Sequence, residues 1–330
     1  MIRLRKCPSA ASVAASLLFA SFYTASDYRH VLRRRQLDVP VTVVLLIISA
    51  FFLFVEPIPQ PQSYHNFADR RRCVCRCGGM MFLPPGYQVK SGDKSKSYAG
   101  IVLPNFGDTA SNIVILLGGL SGVVSLVALD LMDETENNGP AGIDLTPSEE
   151  WQLSVCLPLF FAATVAVSIG STYYHWNPNN STLVWDRLPM TVAFAAIFCY
   201  MLDEYLPAQD DGNTDESSIG QDLLLALTIT GIASVVYWSW TDDLRLYAVV
   251  AIFPMILMVV LVLCCSPPRH GGTVQQVVGL LLYSAAKVCE DKDYEIFDWT
   301  GKRVSGHSLK HILAGLAPIA IAHMVLARNV

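Results

Sequence analysis

The chain has 330 residues, of which 52% are hydrophobic and only 15% charged, and its formal net charge is −5. A soluble domain carries about a quarter charged residues, so the composition argues against a water-soluble globular protein. With an acidic balance and no basic-aromatic stripe, it argues equally against a nucleic-acid binder.

Residues 1–40 hold an early basic patch at Arg3, Arg5 and Lys6, a modest apolar stretch and many small residues. A signal or transit peptide fits that pattern, and so does an arginine-rich tail. A short apolar run at 41–56 predicts an extra transmembrane helix. Residues 57–107 read as a loop, interrupted at 73–100 by a Cys-, Gly- and Lys-rich segment containing Cys73, Cys75 and Cys77. Zinc sites usually place two or more residues between paired cysteines, so this segment reads as an insertion. Apolar runs near 110–131, 153–175, 188–206, 222–240, 246–265, 273–289 and 308–327 have the roughly 20-residue length that crosses a bilayer as a helix. The expected fold is therefore an all-α polytopic membrane protein, with a seven-transmembrane-helix core over 108–327 and one extra N-terminal transmembrane helix. Basic residues before the first run place the N-terminus in the cytosol, whereas those of the core point the other way, so orientation stays open. The remaining cysteines of the core, Cys156, Cys199, Cys264, Cys265 and Cys289, fall in or beside helices, where apolar packing accounts for them.

The chemistry gathers at the edges of three of these runs. GSTYYHWNPNN gives Ser171 and His175 four residues apart, VWDRLPM adds Asp186, and SGHSLKH gives His307 and His311. On a helix an i, i+4 pair lies on one face one turn apart, so each pair can converge on a point. Counting spans puts all three helix ends on the same side of the membrane. Three neutral imidazoles with a further position open is a recurring layout of catalytic zinc, and ionisable groups within membrane helices are costly and usually functional. Each residue also has a plainer reading. His175 alone fits an interfacial side chain, and the His307/His311 spacing arises readily by chance. Asp186 fits a helix cap ahead of Pro189, and Ser171 beside Gly170 fits close helix packing. It is their joint placement that favours metal-assisted hydrolysis. Asp186 would then move the proton and Ser171 would donate to the developing oxyanion. Asp242, Asp243 and Arg245, and likewise Lys287 with Glu290, read as structural ion pairs. His30, His65, His270 and His323 fit no convergent arrangement.

These motifs, together with HNFADRR, LPNFGDTASN, YW followed by DDLRLYAVV, and the seven-span core, resemble the alkaline ceramidase family, and within it the plant and bacterial phytoceramidase-like branch of the CREST superfamily. The resemblance covers about residues 64–327 apart from 73–100. It implies His175, His307 and His311 as zinc ligands, Asp186 as general base and Ser171 as the residue beside the attacking water. The implied activity is hydrolysis of ceramide or phytoceramide to a sphingoid base and a fatty acid, with a membrane lipid as the partner. The implied location is the endoplasmic reticulum or Golgi membrane. The family also binds calcium, and Asn66, Asp69 and Asn105 stand at roughly the matching positions. Only Asp69 is a carboxylate, and calcium prefers several charged oxygens, so calcium is the weaker expectation. The competing expectations are a non-catalytic or receptor-like relative with the same residues, and a hydrolase of another lipid amide or ester.

Overall fold

A computed structural model describes residues 54–76, 79–83, 101–137, 155–206 and 219–328. The expected N-terminal targeting segment, nearly all of the extra helix at 41–56 and most of the 73–100 segment lie outside these residues. Eight α-helices account for most of the described chain: α1 Phe106–Asn137, α2 Cys156–Trp176, α3 Asn180–Tyr205, α4 Ile219–Thr241, α5 Arg245–Cys264, α6 Thr273–Asp291, the short α7 Asp293–Trp299, and α8 Gly306–Ala327. Six of them, α1 to α5 and α8, are long and apolar enough to cross a membrane. The protein is an all-α polytopic membrane protein by that architecture. The helix α6 is comparably long, but Gln275, Gln276, Lys287 and Glu290 make it less apolar than the other six.

The long helices form a bundle in which α8 packs on α1 and α6, α2 packs between α1 and α3, and α3 also supports α4 and α5. Contact between α5 and α6 is sparse by comparison. Two places show why neighbours approach so closely. A Cβ on Gly118 of α1 would lie 2.3 Å from the Gly315 carbonyl oxygen of α8, and a Cβ on Gly170 of α2 would lie 2.1 Å from the Trp185 carbonyl oxygen of α3. In lipid, where apolar surface gains nothing by leaving its surroundings, such small residues let backbones pack and gain dispersion contacts. A buried core of Leu157, Phe161, Ala196, Met201, Met324 and Val325 fills the half of the bundle away from the histidines.

One boundary differs from the sequence expectation in a way that matters. The fourth expected span starts at Asn180 rather than near 188. Asn179 caps it, its side chain accepting from the Ser181 N–H at 2.9 Å and the Thr182 N–H at 3.1 Å, while Thr182 Oγ1 accepts from the Asn179 N–H at 3.2 Å. This reciprocal capping box satisfies donors that the first turn leaves orphaned. Asp186 is therefore an interior helical residue rather than a cap, and Pro189 sits inside the helix.

Before the bundle, three short strands form an antiparallel sheet in the order β2–β1–β3: β1 Arg72–Arg76, β2 Gly79–Leu83 and β3 Ile101–Leu103. Cys73 pairs in register with Phe82 on one side and Leu103 on the other. The sequence reading gave no strands here, because the period-2 signal is short and broken by glycine and cysteine. The sheet is a local addition that feeds directly into the N-terminus of α1.

Candidate metal centre

His175 stands on the last turn of α2, and His307 and His311 stand on the first turns of α8. The three are buried, and one nitrogen from each lies within 4.8 Å of the others. Ring centroids are 4.8 Å apart for His175 and His307, and 4.9 Å for each of the other two pairs. Both ring nitrogens of His175 and Nε2 of His311 are buried without a hydrogen-bond partner. Each such orphan costs about 1–3 kcal/mol, a cost that a cation facing one lone pair of each ring would remove at that nitrogen. Three converging buried imidazoles, two of which carry unpartnered ring nitrogens, therefore fit a metal ion.

What orients them comes from three other elements. His311 Nδ1 is 2.8 Å from Ser111 Oγ and 3.1 Å from the Asp108 carbonyl oxygen, both on α1. Donation of Nδ1–H to that carbonyl fixes the tautomer that leaves the Nε2 lone pair free, the usual outer support of a metal-binding histidine. The Asp108 carboxylate in turn accepts from Ser305 Oγ at 2.6 Å and Ser308 Oγ at 2.7 Å, tying α1 to the start of α8. Asp293, opening α7, accepts the His307 N–H at 2.8 Å and the Ala68 N–H at 2.9 Å. Burial pushes the Asp293 carboxyl up from its ordinary value, against the pull of those two N–H groups.

A strap formed by residues 55–71 covers the cluster. Phe67 packs at a steep tilt against His175 and edge-on against His307, with ring centroids 4.5 Å and 4.9 Å apart. His65 bridges Tyr174 Oη at 2.9 Å and Asn180 Oδ1 at 2.8 Å, so it has a structural place although it lies outside the histidine cluster. Further back, the Leu244 N–H donates to the Ile58 carbonyl at 2.8 Å, and the Gln60 N–H to Asp242 Oδ1 at 3.1 Å. Asp243 and Arg245 form a buried ion pair at 2.7 Å, as the sequence reading expected, and Arg245 Nη1 reaches the Val55 carbonyl at 2.7 Å.

On the membrane side, Ser171, Asp186 and His311 line one end of a narrow, mainly apolar cavity of about 140 Å³. Lys287 and Lys310 share that end of the wall. Glu290 pairs with Lys287 and, at 2.7 Å, with Lys310, so the expected α6 ion pair is half of a larger cluster. Further along come Met190, Phe194, Ile197 and Leu280, and then Tyr200, Met201 and Gln276.

The structure thus brings Ser171, His175, Asp186, His307 and His311 together. It does not assemble the three residues expected to hold calcium. Asp69 is fully buried and spends Oδ1 on Arg71 Nε at 2.7 Å and the Arg71 N–H at 3.0 Å, and Oδ2 on Arg71 Nη2 at 2.8 Å and the Gly107 N–H at 2.9 Å. Asn66 accepts from Arg70 Nη2 at 3.3 Å, and Asn105 donates to the His175 carbonyl at 2.9 Å. A carboxylate closed by a guanidinium and two backbone N–H groups has no lone pair left for a hard cation. In this arrangement Asp69 anchors the strap to α1, and Asn105 braces His175.

Sequence reasoning missed Phe67, Ser111, Asp108, Asp293 and Lys310. Phe67, Asp108, Ser111 and Lys310 all stood inside the motifs HNFADRR, LPNFGDTASN and SGHSLKH, but aromatic contact, outer hydrogen bonding and wall charge do not show in spacing. The chain matches no protein-family model and no curated protein.

Proposed function

We propose that the protein is an intramembrane zinc-dependent amidase of the alkaline ceramidase type, hydrolysing ceramide or phytoceramide to a sphingoid base and a fatty acid. The observation that carries this reading is the position of Asp186 and Ser171 beside the three-histidine cluster, at the polar head of an apolar cavity. A brace that only tied helices together would need neither a carboxylate nor a hydroxyl facing that cavity. His175, His307 and His311 would hold the ion; three imidazoles suit zinc with a position left for water or substrate. Zinc so held supplies a lowered water pKa and a polarised carbonyl.

The chain's own groups account for the rest. Asp186 accepts the proton of the attacking water and returns it to the leaving nitrogen, so one C–O bond forms as the C–N bond breaks. Ser171 donates to the oxygen on which negative charge develops. The apolar wall beyond Asp186 takes the hydrocarbon part of the substrate, and Phe67 with the strap keeps bulk water off the histidines, which strengthens every polar interaction inside.

The test is fatty-acid release from a panel of ceramides and phytoceramides by the detergent-purified full chain, read by mass spectrometry. Asp186→Asn should cut turnover by about 10²- to 10⁴-fold while the bound zinc is unchanged, and a chelator should abolish release. A zinc-loaded, well-folded protein that releases nothing from any ceramide would overturn the reading. The alternatives would then be a receptor-like role or another lipid amide or ester.

A further inference from the structure

Asp186 stands on a turn of α3 whose hydrogen-bond ladder is interrupted. Pro189, three residues on, has no N–H, so the Trp185 carbonyl loses the bond that would close this turn. That carbonyl packs against Gly170 of α2, where a Cβ would lie 2.1 Å from it. Interior prolines are where helices bend, and here the bend carries the carboxylate whose direction matters most to the metal centre.

The next residue supplies what the ladder lacks. Arg187 is buried, and its guanidinium carbon stands 4.2 Å from the centre of the Trp238 ring on α4. It is 4.6 Å from the Tyr247 ring centre on α5 and 5.6 Å from that of Tyr64 in the strap. Nη2 donates to Gln60 Oε1 of the strap at 2.8 Å, and Nη1 has no hydrogen-bond partner among the described residues. Buried charges are usually paired with an opposite charge. This one is met by the negative faces of aromatic rings, an attraction that grows where water is excluded. Arg187 thereby ties α3 to α4, α5 and the strap at once. Successive residues on a helix stand about 100° apart, so an Arg187 pinned in this box turns Asp186 to the cavity wall that it lines.

We propose that Arg187 is a positioning residue for Asp186. Its aromatic box replaces the missing ladder bond and fixes the direction of the Asp186 carboxylate toward the metal centre. The box holds the plane of the guanidinium and not only its charge. The proposal rests on the hydrolase reading for the task given to Asp186, and it names the residue that keeps that group in place.

The test measures ceramide turnover and, separately, the visible spectrum of the cobalt-loaded protein, both on the purified full chain. Misplacing a reacting group by about 1 Å costs on the order of 10²-fold. Arg187→Met should accordingly lower kcat by about 10- to 100-fold, with KM and bound zinc unchanged. Arg187→Lys keeps the charge but loses the plane, and it should fall alike. In an Asp186→Asn background Arg187→Met should cost nothing further, because residues that act through one group are not additive. Cobalt(II) bands report the geometry and surroundings of the metal, and Arg187→Met should shift them as Asp186→Asn does. Should Arg187→Met fold poorly, Tyr247→Leu removes one face of the box and should give the same pattern. Full kcat in a folded Arg187→Met or in Arg187→Lys would overturn the proposal, as would an equal loss in the Asp186→Asn background. A cobalt spectrum that Asp186→Asn leaves unchanged would overturn it too, because the carboxylate would then not face the metal centre. A wild type that turns over no ceramide, while Arg187→Met still reproduces the Asp186→Asn spectrum, would sink the hydrolase reading and leave the positioning role standing.

Discussion

At the scale of single residues, the site is made by what surrounds the histidines as much as by the histidines. Ser111 and the Asp108 carbonyl decide which nitrogen of His311 faces the cluster. Outer partners of this kind contribute about 10- to 100-fold in metal affinity. Ser111→Ala should weaken zinc binding within that range in a competition titration against a chromophoric chelator, with the fold intact. The residue pattern was largely legible beforehand. Ser171/His175 and His307/His311 are i, i+4 pairs, and helical geometry makes that spacing a shared face whatever the rest of the chain does. Asp186 was legible as a participant, and what does not hold is its plainer alternative as a cap, which rested on Pro189 three residues on as a common mark of a helix start. The box formed by Asn179 and Thr182 instead starts the helix two turns earlier. The residues expected at calcium have other partners. Asn66, Asp69 and Asn105 look like oxygen donors in sequence, but Arg71, two residues from Asp69, folds back and occupies both carboxylate oxygens.

At the scale of elements, the site depends on α1 and α8 lying almost backbone to backbone. A Cβ on Gly315 would sit 2.5 Å from the Val114 carbonyl carbon and 2.6 Å from the Ile115 nitrogen. No rotamer relieves a clash with backbone, so the two helices must part. Gly315→Val should therefore cost stability by at least the about 1–3 kcal/mol typical of overpacking. It should also reduce zinc content, because His311 lies one turn before Gly315 and loses its reach to Ser111. Thermal unfolding in detergent followed by metal analysis of the folded fraction checks both. A variant as stable and as zinc-rich as the wild type would show that the contact does not position the histidine. A glycine in an apolar helix could be read from sequence as a packing residue, but its partner helix could not.

At the scale of the whole molecule, the strap joins the ends of α4 and α5 to the roof of the histidine cluster, through the Asp243 ion pair at one end and Phe67 at the other. Burial works to raise the Asp243 carboxyl, but the Arg245 guanidinium, with the N–H groups of Arg245 and Ile58, holds it below the ordinary carboxylate value. A depressed folded pKa means stability that is fully present above the unfolded value, about 3.9 for aspartate, and lost as pH falls through the folded value. The strap should stay closed at neutral and mildly acid pH and loosen only below about pH 4. Asp243→Asn should loosen it at every pH. Hydrogen exchange of residues 58–68 across a pH series measures both, and exchange in the wild type that rises already near neutrality would contradict the assignment.

Composition by itself determined that this is a membrane protein, since a chain half apolar with long uncharged runs has no other way to satisfy its backbone than helices in lipid. Helical periodicity determined that each histidine pair shares a face, and counting spans determined which ends share a side, because both follow from geometry within one helix. The tertiary structure alone decided that α2 and α8 meet around α1, that Asn66, Asp69 and Asn105 have other work, and that Lys310 looks into the cavity. Those outcomes depend on which backbones approach closely and on which charge finds which partner. They are contacts between residues up to more than two hundred positions apart, such as Ser111 with His311 and Tyr64 with Glu290, and no local spacing encodes them.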